Sequence, residues 1–240
     1  MFSYYGRKLK VVRFYPAPIY DTIIEPFCGS AVYSLFQNNW EKNIILVDKY
    51  DVIIRIWKYL QSASSDDILK LPNVKNGEEL IKVDGFTQLL QEEKWLIGFS
   101  VNGGSGMPKN VAGVFNSWHR DKKYIAENLY KIRHWTIKCD DYKNIENIKA
   151  TWFIDPPYQC AGKYYKHKII DYDFLSKWCK CRNGQVIVCE NSTANWLPFI
   201  SLKEMQGQLH KTTEVMYYQD DIPPNPNLII PNDILGDQME

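Results

Sequence analysis

Long apolar runs are missing from this chain of 240 residues. No stretch approaches the roughly 18 consecutive apolar residues that a membrane-spanning helix needs, and the first residues meet Arg7 before an apolar segment can form. We therefore expect a cytoplasmic protein with no membrane partner. The length suits one full-sized domain with an inserted lobe, which excludes both a peptide hormone and a long multidomain scaffold.

Cysteine is also sparse, with six residues in the whole chain. That density is far below the density of a disulfide scaffold, so we expect reduced thiols. Cys179 and Cys181 form a C-x-C pair with Cys160 and Cys189 nearby, but this spacing matches no common zinc site. We expect no metal.

Basic residues are absent from 212–240, which carries six acids, so the preceding chain holds 29 Lys and Arg against 22 Asp and Glu. Seven of these bases lie in 109–138 with only two acids. A polyanionic partner would bind such a segment, although a solvated surface explains the same charges equally well. For 220–240 we expect an irregular acidic tail.

Short β-branched runs that end in acids recur along the chain and are typical of parallel strands buried on both faces. They lie at 21–27, 43–48, 134–141, 151–158 and 184–191, and 212–219 is predicted as a last strand. Amphipathic stretches at helical spacing lie between them, at 30–40 and 50–61. Strands that alternate with helices predict an α/β doubly wound fold.

This alternation stops between 62 and 133, where polar helical stretches lead into the glycine-rich run NGGSG. The run lacks the Lys-Ser/Thr pair of a phosphate-binding loop, so it predicts a mobile loop and not a nucleotide site. We interpret 62–133 as a small, mostly helical inserted lobe. The main domain then consists of 1–61 and 134–219.

An acidic residue ends the first predicted strand, and a turn follows it. In a doubly wound sheet, ligands bind outside the carboxyl ends of the strands, so residues far apart in sequence meet there. Glu25 ends the strand, and Phe27, Cys28 and Gly29 form the turn. Glycine lets the backbone approach a ligand closely just before a helix N-terminus.

The next two predicted strands also end in acids. Asp48 stands 23 residues after Glu25, where an acid can accept both hydroxyls of a ribose. Asp140 or Asp141 ends the third strand, where a carboxylate can accept from an adenine amino group. Together these positions indicate a cofactor that contains adenosine.

The fourth predicted strand ends in Asp155-Pro156-Pro157-Tyr158. Two successive prolines cannot donate backbone hydrogen bonds and fix φ, so the turn is rigid and presents its carbonyls as acceptors. A carboxylate beside these carbonyls suits a planar amino group, and Tyr158 offers a ring on which a flat base can stack. The tetrapeptide therefore predicts a pocket for an exposed base.

The runs YYGRK, IIEPFCGSA, LVD, CDDY and FIDPPY occur in this order, with a lobe of about 60 to 75 residues between the second and third strands. In this the chain resembles the Dam-type adenine-specific DNA methyltransferases, including the short versions carried by phages, from about residue 4 to residue 191. The resemblance implies S-adenosylmethionine as the cofactor and a Rossmann-like, seven-stranded methyltransferase sheet. It also implies methylation of the N6 amino group of a flipped adenine in duplex DNA.

The resemblance also assigns roles by position. Tyr5 and Lys8 flank the methionine end of the cofactor, Phe27, Cys28 and Gly29 with Glu25 form the turn beneath it, Asp48 takes the ribose, and Asp141 with Tyr142 takes the adenine. Asp155, Pro156 and Tyr158 hold the target base, and Asp155 also contacts the cofactor. The chain departs from the pattern at Arg7 and Ala31, where many relatives have glycine.

Target recognition is assigned to the lobe, where Arg120, Lys122 and Lys123 are predicted to contact phosphates. Two alternatives stay open. An RNA adenine methyltransferase would need the same pocket, because that pocket sees only an extruded base. A nucleic-acid-binding module of the same fold without turnover is the other alternative.

Overall fold

The computed structural model describes residues 1–160, 165–167, 169–206 and 211–221. Its strands are β1 (Thr22–Glu25), β2 (Asn43–Asp48), β3 (Thr136–Cys139), β4 (Ala150–Ile154), β5 (Gly184–Asn191), β6 (Ile200–Gln206) and β7 (Lys211–Gln219). Its α-helices are α1 (Val32–Leu35), α2 (Asp51–Ser62), α3 (Ser65–Lys70), α4 (Gln91–Ser100), α5 (Trp118–Asn128) and α6 (Tyr172–Lys180). The fold is α/β.

All seven strands belong to one mixed sheet, in the order β3-β2-β1-β4-β5-β7-β6. The strands β1 to β5 pair in parallel, and β7 is antiparallel to both β5 and β6. The first five places follow the order of a doubly wound sheet, and the antiparallel β7 departs from it. The sheet is compatible with a Rossmann-like fold.

Apolar side chains cover both faces of the sheet, because successive residues of a strand point to opposite sides. Ile23 of β1 belongs to one core together with α2, whereas its neighbour Ile24 belongs to a second core together with α6. Both residues are fully buried. The strands β1, β4 and β5 are buried almost throughout, as predicted for strands covered on both sides. The prediction is wrong for β3, which lies at the edge of the sheet and has three of its four residues exposed.

Two predictions from the sequence pattern differ from the structure. The helix expected over 30–40 is only the four-residue α1, because the backbone has positive φ at both Ala31 and Gln37. The strand β6 was not predicted from the pattern. It lies at the edge of the sheet and alternates apolar and polar residues, so it carries no continuous apolar run.

The segment 63–135 is described throughout and adds no strand to the sheet. Ser64 begins α3 with a capping box, since its hydroxyl accepts from the Asp67 amide and the Asp67 carboxylate accepts from Ser64. Phe99 and Trp118 are fully buried in the core that also holds Ile23. The segment therefore shares the core that lies between the sheet and α2, and these residues do not form a separate core.

The predicted tail at 220–240 lies, beyond Asp221, outside the described residues. Among the helices that the structure describes, none combines the length and the apolar character needed to cross a bilayer.

Candidate active site

A cavity of about 410 Å³ opens at the carboxyl ends of the parallel strands. All ten residues that the sequence analysis assigned to the cofactor line it: Tyr5, Lys8, Glu25, Phe27, Cys28, Gly29, Asp48, Asp141, Tyr142 and Asp155. They come from the N-terminal segment and from the ends of four strands that lie side by side. Parallel strands explain this convergence, since their carboxyl ends meet at one edge of the sheet.

Glu25 ends β1 inside the protein and is only 3% exposed. Its Oε1 accepts from the Ser34 amide at 2.8 Å and from the Ser34 hydroxyl at 2.5 Å. Burial raises the pKa of Glu25 to about 8, against the opposing effect of these two hydrogen bonds. Glu25 thus fixes α1 to the end of β1 at the wall of the cavity.

The turn after β1 is held by side chains from neighbouring elements. Asp48 Oδ2 accepts from the Gly29 amide at 3.1 Å, and Asp48 Oδ1 accepts from the Tyr50 amide at 2.9 Å. Burial raises the pKa of Asp48 to about 6. Gly29 has φ +42°, and a Cβ there would lie 2.9 Å from the Tyr4 ring. Asp48 therefore both lines the cavity and ties β2 to the turn.

Ala31 departs from the glycine of the family pattern, and the structure shows what glycine would supply there. Its backbone is left-handed, with φ 47° and ψ 47°. Such a conformation costs an L-residue about 1–2 kcal/mol, and glycine adopts it freely. The fold accepts alanine at this position at the cost of local strain.

At the end of β3, the structure places Asp141 and not Asp140 at the cavity. Lys49 Nζ lies 2.9 Å from Asp141 Oδ2. Burial alone would raise the pKa of Asp141, but the hydrogen bond and the charge of Lys49 outweigh burial and lower this pKa. Asp140 is exposed and accepts from the Asn144 side chain at 2.7 Å. The Phe27 and Tyr142 rings lie 5.1 Å apart and provide flat apolar surface beside Asp141.

Asp155 directly follows β4 and contacts a lysine. Lys8 Nζ lies 2.8 Å from Asp155 Oδ1, donates to the Gly6 carbonyl at 3.0 Å, and lies 4.5 Å from the centre of the Tyr158 ring. Burial raises the pKa of Asp155, and the Lys8 ammonium opposes that rise. Burial alone would lower the pKa of Lys8, but the carboxylates of Asp155 and Glu214 hold it above its usual value.

The other members of the tetrapeptide have different positions. Pro157 lines the cavity beside Asp155, whereas Pro156 and Tyr158 are not among its lining residues. The Tyr158 hydroxyl donates to Glu214 Oε1 at 2.5 Å, which points the side chain toward β7. The ring predicted to stack on a base is thus beneath the Lys8 ammonium.

Several residues at or near the site were missed by the sequence analysis. The described part of 165–171 lines the cavity, and the Tyr165 hydroxyl donates to the Tyr5 carbonyl at 3.2 Å. Glu214 was counted only as one of the six acids of 212–240, yet it lies on β7 against Lys8. No local pattern marks either residue, because both reach the site through tertiary packing.

The three bases predicted to contact phosphates do not share one environment. Arg120 and Lys123 are exposed on α5. Lys122 is 7% exposed, and its Nζ donates to the Leu71 carbonyl at 2.9 Å and to Asn73 Oδ1 at 2.7 Å. Burial lowers the pKa of Lys122. The prediction that Lys122 contacts a phosphate is therefore wrong, because its ammonium donates to two acceptors inside the protein.

Across the described residues, no group of three or more His, Cys, Asp or Glu side chains is arranged to hold a metal ion. No family model and no curated protein matches this chain. Among solved structures, a conserved hypothetical protein from Streptococcus pyogenes is similar at 12% identity and a TM-score of 0.33, over 81% of this chain and 84% of that one. A likeness at this level supports no conclusion about fold or function.

Proposed function

We propose that this protein transfers a methyl group from S-adenosylmethionine to the N6 amino group of adenine in DNA, after the base has left the duplex. One observation carries the proposal. The acid of an Asp-Pro-Pro-Tyr tetrapeptide lines the same cavity as Asp48, which ends β2, and Asp141, which follows the neighbouring parallel strand β3. Those three acids suit a target amino group, a ribose and an adenine ring in one continuous site.

The sheet supports the same proposal. Five parallel strands, followed by an antiparallel seventh strand between the fifth and the sixth, are compatible with the seven-stranded sheet that the family resemblance implies. Fold alone does not define an activity, so the sheet is secondary to the residues of the site.

The side chains around the cavity fit the proposed cofactor. Phe27 and Tyr142 supply apolar faces for a flat ring, and Asp141 beside them supplies an acceptor for an amino group. Asp48 supplies carboxylate oxygens for ribose hydroxyls at the turn through Gly29. Tyr5 and Lys8 also line the cavity, and Lys8 contacts Asp155.

The proposed chemistry needs an activated amino nitrogen, whose lone pair is otherwise delocalised into the base. When bound, S-adenosylmethionine supplies a methyl carbon whose bond to sulfur breaks with the electron pair remaining on sulfur. The Asp155 carboxylate accepts a hydrogen of the amino group and directs the nitrogen lone pair toward that carbon. After the N–C bond forms, Asp155 or water takes the proton that the nitrogen releases.

Titration calorimetry with S-adenosylmethionine, followed by transfer of a tritiated methyl group to duplex DNA, single-stranded DNA and RNA, tests this proposal. We expect binding and transfer to adenine in DNA. Faster transfer to RNA would favour the RNA methyltransferase, and binding of nucleic acid without any transfer would favour the silent binding module. Sequencing of methylated adenine in DNA from expressing cells then locates the target.

A further inference from the structure

Glu214 contacts three side chains near Asp155, namely Tyr15, Tyr158 and Lys8. The Tyr15 hydroxyl donates to Glu214 Oε1 at 2.7 Å, and the Tyr158 hydroxyl donates to the same oxygen at 2.5 Å. Lys8 Nζ lies 3.7 Å from that oxygen. The Glu214 side chain is 12% exposed, so one nearly buried carboxylate oxygen faces two hydroxyls and an ammonium.

Lys8 occupies the position that the proposed function requires for the target base. Its ammonium lies 2.8 Å from Asp155 Oδ1 and 4.5 Å from the centre of the Tyr158 ring, the two groups that the resemblance assigns to the target base. The ammonium fills space beside both groups, so a base that stacks on the Tyr158 ring with its amino group at Asp155 Oδ1 has to displace it. A buried ammonium that leaves one carboxylate with no other anion beside it is strongly disfavoured, so Lys8 needs a second anion within reach.

Glu214 is that second anion. The Lys8 ammonium is only 0.9 Å farther from Glu214 Oε1 than from Asp155 Oδ1, so a small rotation of the lysine side chain exchanges one partner for the other. Hydrogen bonds from two tyrosines require only an acceptor, which an amide oxygen would also supply. The negative charge of Glu214 is needed for the ammonium.

We propose that Glu214 is a positioning residue that takes over the Lys8 ammonium when a target base enters, which releases Asp155 to accept the base amino group. Glu214 also holds the Tyr158 ring in place through the hydroxyl, so the stacking surface stays fixed during the exchange. This inference rests on the proposed function, because it concerns the base pocket of the same site.

The test uses four full-length proteins: the wild type, Glu214→Gln, Lys8→Met and the double variant. Glutamine keeps the acceptor for both tyrosines and removes the charge. Once the wild type has located a target adenine, 2-aminopurine replaces it in a duplex, and its fluorescence reports entry of the base without any turnover. Single-turnover methyl transfer is measured on the unmodified duplex.

We expect Glu214→Gln to reduce base entry and the single-turnover rate by about tenfold, with an unchanged dissociation constant for the cofactor. In the Lys8→Met background the same substitution should have no effect on base entry, because no ammonium has to be received. Lys8→Met alone should admit the base at least as well as the wild type. Glu146→Gln, an exposed change of the same kind, should match the wild type.

An equal loss from Glu214→Gln in both backgrounds would show that Glu214 acts on the structure and would overturn the exchange. Unchanged base entry in Glu214→Gln, or impaired entry in Lys8→Met, would overturn it as well. A wild-type protein that methylates no adenine contradicts the proposed function instead. A wild-type protein that methylates normally, beside an unaffected Glu214→Gln, contradicts only the role of Glu214.

Discussion

Two hydrogen bonds join Glu25 to Ser34 of α1, because one oxygen of the Glu25 carboxyl group accepts from both the amide and the hydroxyl of the serine. Because the carboxyl group is fully buried, the folded protein holds a proton on it at a pH where the unfolded chain does not. This contact therefore links stability to pH.

We expect this contribution of Glu25 to be fully present below about pH 4.5 and to be lost as the pH rises through about 8, its pKa in the folded protein. The folded state binds more protons than the unfolded state in that window, so stability falls there by several kcal/mol. Glu25→Gln is neutral at every pH and should lack this loss. Urea unfolding at pH 4, 6 and 9 measures the difference between the two proteins, and parallel curves would contradict the assignment.

Asp155→Ala should lose on the order of 10²-fold or more in methyl transfer while still binding the cofactor, because the variant lacks an acceptor that is used in the transition state. Single-turnover kinetics and calorimetry measure the two effects separately. Asp21→Ala makes the same change at an exposed position and serves as the control. An Asp155→Ala protein that keeps more than half of the wild-type rate would remove Asp155 from the mechanism.

Asp141→Asn should weaken cofactor binding by roughly 1–2 kcal/mol, since a charge-assisted hydrogen bond becomes a neutral one. The neighbouring Asp140→Asn should leave the affinity unchanged, because Asp140 contacts Asn144 outside the cavity. Titration calorimetry of both variants compares two adjacent acids directly. Equal losses in both would mean that the two carboxylates act through the general charge of the loop.

The basic residues of α5 should differ in what their replacement changes: DNA binding for the exposed ones and stability for the buried one. Replacing Arg120 and Lys123 by glutamine should weaken binding to every DNA sequence and lower the salt slope by somewhat under one unit for each phosphate that is no longer neutralised. Lys122→Met should instead lower the free energy of unfolding by about 1–3 kcal/mol, because the Leu71 carbonyl loses its buried donor. DNA binding at several salt concentrations and thermal unfolding distinguish the two. An unchanged salt slope would make Arg120 and Lys123 part of a solvated face.

The central strands and the cofactor candidates could be predicted from the sequence, because each depends on a local pattern of residues. A strand buried on both faces is a continuous apolar run, and its last residue is visible as an acid, as at Asp48. The edge strand β6 has no such run. The burial of Lys122 did leave a signal, since Trp118, Lys122 and Ile125 are spaced to share one face of a helix and the other two are apolar.

The pairing of Lys8 with Asp155 and Glu214 could not be predicted in this way. These residues stand in the N-terminal segment, after β4 and on β7, and only the order of strands in the sheet brings them together. A pattern of residues shows which side chains end a strand. It does not show which of them contact one another.

The convergence of distant segments on one cavity also governs when the site can form during synthesis. Its walls include Tyr5 near one end of the chain and Asp171 far along it, and β1 pairs with β4 across more than a hundred residues. A nascent chain that has not passed Asp171 lacks part of the cavity, and Glu214 emerges later still. The proposed cofactor would therefore bind, and stabilise the fold by binding, only when most of the polypeptide has left the ribosome.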